Sequence, residues 1–106
     1  MERVCLCFEV RPGTEEEFER RHREAWPEFL EALAASGIRN YSQFRRGTTI
    51  ICYGECEPDV ETAFAALGAT DAAARWGAWF VPEIMPRPAL DAEGRPDAWR
   101  ETWHVD

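Results

Sequence analysis

The fold of this chain is decided by residues 38–56, which run IRNYSQFRRGTTIICYGEC. Two segments rich in β-branched and aromatic residues, 38–46 and 48–56, flank Gly47. Such segments on either side of a glycine predict an antiparallel β-hairpin. The two-residue period of a strand predicts one shared face in the first strand for Arg39, Tyr41 and Gln43.

The N-terminal segment, residues 3–10 (RVCLCFEV), also alternates and predicts another strand. Its apolar residues fall on both faces near the start of the strand. We therefore expect both faces of the sheet to be covered. One face carries Val4, Leu6, Phe8 and Val10, and the other begins with Cys5 and Cys7.

A helix is predicted over residues 14–36, after a Pro-Gly turn and before Gly37. Thr14 is expected to cap its N-terminus in a capping box with Glu17. Pro27 removes one backbone hydrogen bond inside the helix and is expected to kink it. The helical period predicts an apolar stripe that faces the core and consists of Phe18, His22, Ala25, Phe29 and Leu33.

Two further helices and a last strand are predicted after the hairpin. One helix begins at Pro58-Asp59 and continues to Leu67, and a third helical piece begins at Thr70 or Asp71 and ends before Pro82. Three prolines and a glycine predict an irregular loop over residues 86–98. The chain then ends in a predicted strand, which places on one face Trp99, Glu101, Trp103 and Val105.

The predicted order of elements is β-α-β-β-α-(α)-β over a single domain, residues 1–106. This order is typical of an α+β fold of the ferredoxin-like type, with an antiparallel sheet and helices on one face. The other face of the sheet is also apolar, and a second copy of the chain is its simplest cover. We therefore expect a homodimer in which two sheets meet face to face, a dimeric α/β barrel.

The charge of the chain argues against a nucleic-acid or membrane partner. Its 20 acidic and 12 basic residues give a net charge of -8, whereas both partners require a basic surface. The chain has no apolar run of the roughly 20 residues that span a bilayer. Residues 1–10 alternate and lack the apolar block of a signal peptide, so we expect a cytoplasmic protein.

Four cysteines, Cys5, Cys7, Cys52 and Cys56, fall within predicted strands. Zinc sites usually place cysteine pairs on turns with two residues between them, as in C-x2-C. The spacings found here, C-x-C and C-x3-C, differ from that pattern. Buried, reduced cysteines are the preferred interpretation. We therefore expect no metal at these cysteines.

His22 is the residue that most directly suggests chemistry. It lies on the apolar side of the predicted helix, four residues after Phe18, and histidine exchanges protons near neutral pH. The alternative is a hydrogen-bonded histidine of the core. His104 lies near the chain end and is expected on the surface. The chain lacks the glycine-rich, zinc-protease and nucleophile-elbow motifs.

Aromatic residues suggest a small-molecule pocket. The chain has five tryptophans, and only the fold could bring Trp76, Trp79 and Trp103 together with Tyr41 and His22. Aromatic walls with a few polar groups are the usual form of a small-molecule site, and they suit the C–H faces of sugars. Alternatively, these aromatic residues form the core of a small domain.

Five groups of residues follow one another along the chain: Arg20-Arg21-His22, Trp26-Pro27-Glu28, Gly37 with Asn40-Tyr41, Thr70-Asp71 with Arg75-Trp76, and Met85-Pro86. In these motifs the chain resembles the L-rhamnose mutarotase family over nearly its full length. The resemblance implies a dimeric α+β barrel and a cofactor-free aldose 1-epimerase that interconverts the α and β anomers of L-rhamnose. It implies that His22 is the catalytic acid and that Tyr41 and Trp76 bind the sugar.

Two positions depart from the family pattern, and both belong to the expected substrate site. The family typically has a tyrosine that contacts the sugar where this chain has Phe18, so a hydroxyl is lost. The family has a Trp-Trp pair where this chain has Trp76-Gly77, so a stacking wall is lost. Both changes predict a larger or less polar pocket.

Mutarotation requires a proton on the ring oxygen and the loss of a proton from the anomeric hydroxyl. One well-placed acid or base contributes about 10²–10⁴-fold. His22 fits the acid, whereas Tyr41, Glu101 and a bound water are candidates for the base. The first hypothesis is a mutarotase for L-rhamnose or a related deoxy-pyranose. The alternatives are a non-catalytic binder of sugar-like metabolites and, by analogy of fold alone, a cofactor-independent monooxygenase.

Overall fold

The structure, a computed structural model, covers residues 1–106 and consists of a three-stranded sheet and four helices. It is a small α+β domain, as the sequence predicts. The elements in chain order are β1 (Glu2–Glu9), α1 (Glu15–Arg23), α2 (Pro27–Ala35), β2 (Ile38–Arg46), β3 (Thr49–Cys56), α3 (Val60–Gly68) and α4 (Asp71–Phe80).

The sheet is antiparallel, with the strand order β1-β3-β2. The predicted hairpin of β2 and β3 is confirmed, and its turn contains Gly47 at a φ of +60°. On the inner face of the central strand, Ile50, Cys52 and Cys56 are completely buried. This face packs against the helices and forms the hydrophobic core.

A β-bulge in β2 changes which side chains share a face. The register shifts between Arg39, opposite Glu55, and Ser42, opposite Tyr53. Asn40 takes up the extra residue at a φ of +48°, a conformation that asparagine tolerates better than most residues. The prediction that Arg39 shares a face with Tyr41 and Gln43 is therefore wrong, because the bulge reverses the alternation between them.

The predicted long helix is two helices. The first ends at Arg23, and Trp26 is extended with φ -70° and ψ 138°. Proline disfavours helical backbone in the residue before it, whereas at the first position of a helix its missing N–H costs nothing. Pro27 therefore begins α2 and does not kink a continuous helix.

The predicted capping box at Thr14 is also wrong. The Thr14 hydroxyl donates to the Arg11 carbonyl at 2.6 Å and makes no cap to α1. The Glu17 carboxylate accepts from Arg20 and Arg21 in preference to the backbone. Three charge-assisted hydrogen bonds from two guanidinium groups compete successfully with one bond from a backbone N–H.

The starts of the last two helices follow their capping residues. The Asp59 carboxylate accepts from the Thr62 N–H at 2.7 Å, and the Thr70 hydroxyl accepts from the Ala73 N–H at 3.2 Å. Both helices begin where the sequence predicts them. No helix of the structure is long and apolar enough to span a membrane.

The predicted last strand is absent. Residues 99–106 have no regular secondary structure, and the segment touches the sheet at one bridge between Leu6 and Ala98. The Trp99 N–H donates to the Cys5 carbonyl at 2.8 Å. Trp103 is 81% exposed, so the alternating apolar side chains of this segment bury little surface. Without such burial, alternation alone does not hold a strand in place.

The cysteines divide between the two faces of the sheet. All four are free thiols, and Cys52 and Cys56 are buried in the core. Cys5 and Cys7 are half-buried on the outer face. Burial raises the pKa of Cys52 and Cys56, so both remain protonated and inert. No group of three or more His, Cys, Asp and Glu side chains is placed to hold a metal ion.

Candidate active site

A cavity of about 710 Å³ lies between the inner face of the sheet and the helices. Of its 23 lining residues, 19 are hydrophobic. Polar side-chain groups come only from His22, Tyr41, Gln43 and the indole of Trp76. The structure brings together in this one cavity the five residues at the positions where the family resemblance implies catalysis or sugar binding, namely Phe18, His22, Tyr41, Trp76 and Gly77.

His22 is held by its own helix. Its Nδ1 lies 2.9 Å from the carbonyl oxygen of Phe18, which can only accept, so Nδ1 carries a proton. Nε2 has no hydrogen-bond partner in the chain and is available to a ligand in the cavity. Burial lowers the pKa of His22, and the hydrogen bond to Phe18 opposes that shift. The neutral imidazole with a free Nε2 lone pair is therefore favoured near pH 7.

Aromatic rings surround the imidazole. The ring centroid of His22 lies 4.4 Å from that of Phe18, 5.1 Å from Phe80 and 5.3 Å from Trp76. Trp76 stands edge-on to His22 and stacks on Phe29 with a centroid distance of 4.3 Å. These rings form an apolar wall, and their displacement of water explains the lowered pKa of the histidine.

Tyr41 approaches the same cavity from the sheet. Its ring lies directly over Gly54 of β3, where a side chain would collide with it. Burial raises the pKa of Tyr41 well above its ordinary value, so its hydroxyl stays protonated and can donate a hydrogen bond. Gln43, two residues along, lines the cavity too. The two-residue period from Tyr41 is the pattern that points to Gln43 as a site residue.

Arg21 is a supporting residue that sequence analysis overlooked. Its side chain is buried and donates to the Trp79 carbonyl and to the carboxylates of Glu17 and Glu83. Its guanidinium also lies 5.0 Å from the ring centroid of Trp79. These contacts tie α1 to the end of α4 and so hold His22 beside Trp76.

Four residues considered from sequence lie outside the cavity lining. Trp79 packs behind the site, where it stacks on Trp26 at a centroid distance of 5.0 Å. Trp103 is exposed in the C-terminal segment. Glu101 pairs with Arg3, which lies on the outer side of β1, and is therefore not placed to act as the second catalytic group. His104 is exposed, as the sequence predicts.

The arrangement suits proton transfer on a small molecule. A neutral imidazole can accept a proton, a buried phenol and an amide can donate hydrogen bonds, and aromatic walls can hold a flat or partly apolar ligand. Fold and site together define the class as a small α+β protein with a histidine and a tyrosine in an apolar cavity.

Comparison with known proteins gives the family. A family model described as L-rhamnose mutarotase matches residues 3–105. An L-rhamnose mutarotase of Opitutus terrae is 35% identical over 107 residues, covering 100% of both chains. One from Listeria monocytogenes serovar 1/2a is 33% identical over 88 residues, which cover 83% of this chain and 85% of the relative. The chain belongs to the L-rhamnose mutarotase family, which consists of epimerase-type isomerases.

A solved structure supports the fold. The crystal structure of an L-rhamnose mutarotase from Formosa agariphila superposes with a TM-score of 0.77 at 18% sequence identity, and the match covers 100% of both chains. At this level of identity the likeness concerns the arrangement of the backbone. It confirms the small α+β architecture described above.

Proposed function

We propose that this protein is a cytoplasmic, cofactor-independent mutarotase that interconverts the α and β anomers of L-rhamnose or a related deoxy-pyranose. Two relatives that match at 35% and 33% identity are L-rhamnose mutarotases. The observation that carries the chemistry is the hydrogen bond from His22 Nδ1 to the Phe18 carbonyl. It fixes the imidazole with Nε2 free in a cavity large enough for a pyranose.

Ring opening moves protons only and needs no oxidant or reductant. Nε2 of His22 accepts the proton of the anomeric hydroxyl, the C1–O1 bond gains double-bond character, and the bond between C1 and the ring oxygen breaks. A water beside Tyr41 donates a proton to the ring oxygen, which completes the open aldehyde, and the water recovers that proton from the resulting hydroxyl as the ring closes. Rotation about C1–C2 and closure on the other face of the carbonyl give the other anomer.

His22 then acts in both directions. Once it has taken the anomeric proton it is an imidazolium, and it returns that proton to the new anomeric hydroxyl as the ring closes. The acid role that the family resemblance implies thus follows from an initial role as base. Tyr41, whose pKa is raised by burial, remains a hydrogen-bond donor throughout.

Exchange between the anomers can be measured directly by saturation-transfer NMR. We expect the protein to accelerate the exchange of L-rhamnose anomers, and His22→Gln to lower the acceleration by about 10²–10⁴-fold. His104→Gln is the matched control, because His104 is exposed and outside the cavity. Equal rates for His22→Gln and the wild type would refute the role of His22. Sugar binding without exchange by the folded wild type would support the non-catalytic binder instead.

We also propose a homodimer formed through the outer face of the sheet, defined by Cys5, Cys7, Phe44, Ile51 and Tyr53. Phe44 is 64% exposed and Ile51 is 38% exposed, which is unusual for large apolar side chains on one surface. Sedimentation should give twice the chain mass of 12.2 kDa. Phe44→Glu should yield the monomer, whereas Ala66→Glu on the exposed side of α3 should leave the dimer intact. A monomeric wild type would refute this assembly.

A further inference from the structure

Gly77 lies in the interior of α4, where the chain does not require a glycine. Its backbone is outside the left-handed region, and a Cβ added to it would meet no heavy atom within 4 Å. Glycine in a helix interior is less stable than alanine. Neither backbone conformation nor packing therefore accounts for Gly77, and the space above it belongs to the cavity.

Gly77 is part of an opening that we call the α4 gap, formed by Ala74, Gly77 and Ala78. All three residues are exposed and also line the cavity. Leu30 of α2, which is 52% exposed, lines the same cavity. The gap is thus an apolar extension of the site that holds His22.

The cavity also offers few hydrogen-bonding side chains to the hydroxyl groups of a free sugar. Its polar side-chain groups are the imidazole, the Tyr41 hydroxyl, the Gln43 amide and the Trp76 indole. A sugar hydroxyl that is buried without a hydrogen-bond partner loses binding free energy. An ether or ester at that hydroxyl removes the unpaired donor and adds apolar surface for the cavity to bury. Volumes of about 300–1,000 Å³ are typical of sites for drug-sized ligands.

We propose that the α4 gap holds an apolar substituent of the sugar, so that the preferred substrate is an O-alkylated or O-acylated 6-deoxy-pyranose. This inference rests on the proposed mutarotase function and specifies its substrate class. The anomeric hydroxyl must stay free, because ring opening removes its proton. The substituent lies along Gly77 toward the solvent, while the ring remains against His22 and Trp76.

The test compares L-rhamnose with its 2-O-, 3-O- and 4-O-benzyl ethers by saturation-transfer NMR. At least one ether should be exchanged about tenfold more efficiently, in kcat/KM, than L-rhamnose, a discrimination that a small apolar contact can supply. Gly77→Trp should reduce that preference at least tenfold by filling the gap. Ala65→Trp, which adds the same indole to an exposed position of α3, is the matched control.

The outcomes separate this inference from the function on which it rests. If L-rhamnose is exchanged but no ether exceeds it, or if Gly77→Trp leaves the preference unchanged, the substrate class is wrong and the mutarotase function stands. If the folded wild type exchanges none of the four sugars, the function fails and the inference with it. Should Gly77→Trp not fold, Ala74→Leu narrows the same gap from a neighbouring exposed position and must lower the same preference.

Discussion

Replacing Gly54 with alanine should destabilise the protein through a single collision. The new Cβ would lie 2.7 Å from Cδ2 of Tyr41, and 3.4 Å from Cε2 of Tyr41 and Cγ1 of Val4. The first distance is far below a normal carbon–carbon contact of about 3.5–4.0 Å. Tyr41 must therefore leave its place over β3, and its hydroxyl leaves the cavity with it.

Overpacking of this kind costs about 1–3 kcal/mol. Urea unfolding of a small domain has a slope of about 1–3 kcal/mol per molar, so the midpoint should fall by roughly 1 M with the slope unchanged. If the collision is the cause, the effects of substitutions at Gly54 and Tyr41 on stability should be coupled. In a Tyr41→Ala background the ring is absent, and Gly54→Ala should then be neutral or stabilise the protein by up to about 1 kcal/mol.

The assay is a double-mutant cycle by urea denaturation, using the wild type, Gly54→Ala, Tyr41→Ala and the double variant. The double variant should be more stable than the sum of the two single effects predicts, by a coupling free energy of about 2 kcal/mol. If Gly54→Ala costs the same with and without the Tyr41 ring, the collision is not the cause and the destabilisation arises elsewhere. Anomer exchange by Gly54→Ala should also fall, since the displaced tyrosine no longer lines the cavity.

Three further predictions concern α1 and α4. Gly77→Ala, the same chemical change in open space, should raise the free energy of unfolding by about 1 kcal/mol in a urea titration. Arg21→Met should cost about 1–3 kcal/mol, because the Trp79 carbonyl loses its donor; an unchanged urea midpoint would contradict the supporting role of Arg21. Because burial lowers the pKa of His22, anomer exchange should decline only below pH 6.5, the ordinary value, and a rate that rises on acidification would contradict the role as base.

The same shift of His22 affects stability with a defined sign. The unfolded imidazole binds its proton near pH 6.5, and the folded one binds it only at lower pH. Above pH 6.5 both are neutral and the shift has no effect on the free energy of unfolding. As the pH falls from 6.5 through the lower pKa of the folded state, the folded state loses stability. His22→Gln should remove that part of the pH dependence, which denaturation at several pH values would detect.

The parts of the fold that the sequence predicts correctly depend on near neighbours in the chain. The hairpin follows from Gly47 between two strand patterns, and α4 follows from the cap at Thr70. Pro27 identifies a break in the first helical segment for the same local reason, although it begins a helix instead of kinking one. Local chemistry determines such features because the interacting groups lie within a few residues of each other.

The features that the sequence does not predict depend on distant partners. The bulge at Asn40 stands opposite Gly54, the residue over which the Tyr41 ring lies, and no pattern within β2 reports that contact. The missing last strand shows that a local pattern without distant partners does not form the predicted element. Its alternation is typical of a strand, but its side chains find little within one chain to cover them, and Trp103 stays 81% exposed.

The candidate site depends partly on near neighbours in the chain and partly on distant partners. The helical period places Phe18 and His22 on one stripe, but their meeting with Trp76 requires α4 to pack against the first two helices. The family resemblance, which rests on motifs in both segments, predicts that association. Arg21 lies in one of those motifs, but its role in holding the two parts together follows from neither period nor motif, because its partners are a backbone carbonyl and a carboxylate beyond α4.

One physical cause connects the proposed chemistry with the proposed choice of sugar. Aromatic rings exclude water around His22, and that desolvation keeps the imidazole neutral and able to accept a proton. The same exclusion of water penalises every sugar hydroxyl that lacks a partner. A cavity that keeps His22 unprotonated, and so able to accept a proton, therefore also favours a less polar substrate. Phe18 contributes to both effects, because it lies against the imidazole and offers no hydroxyl to the sugar.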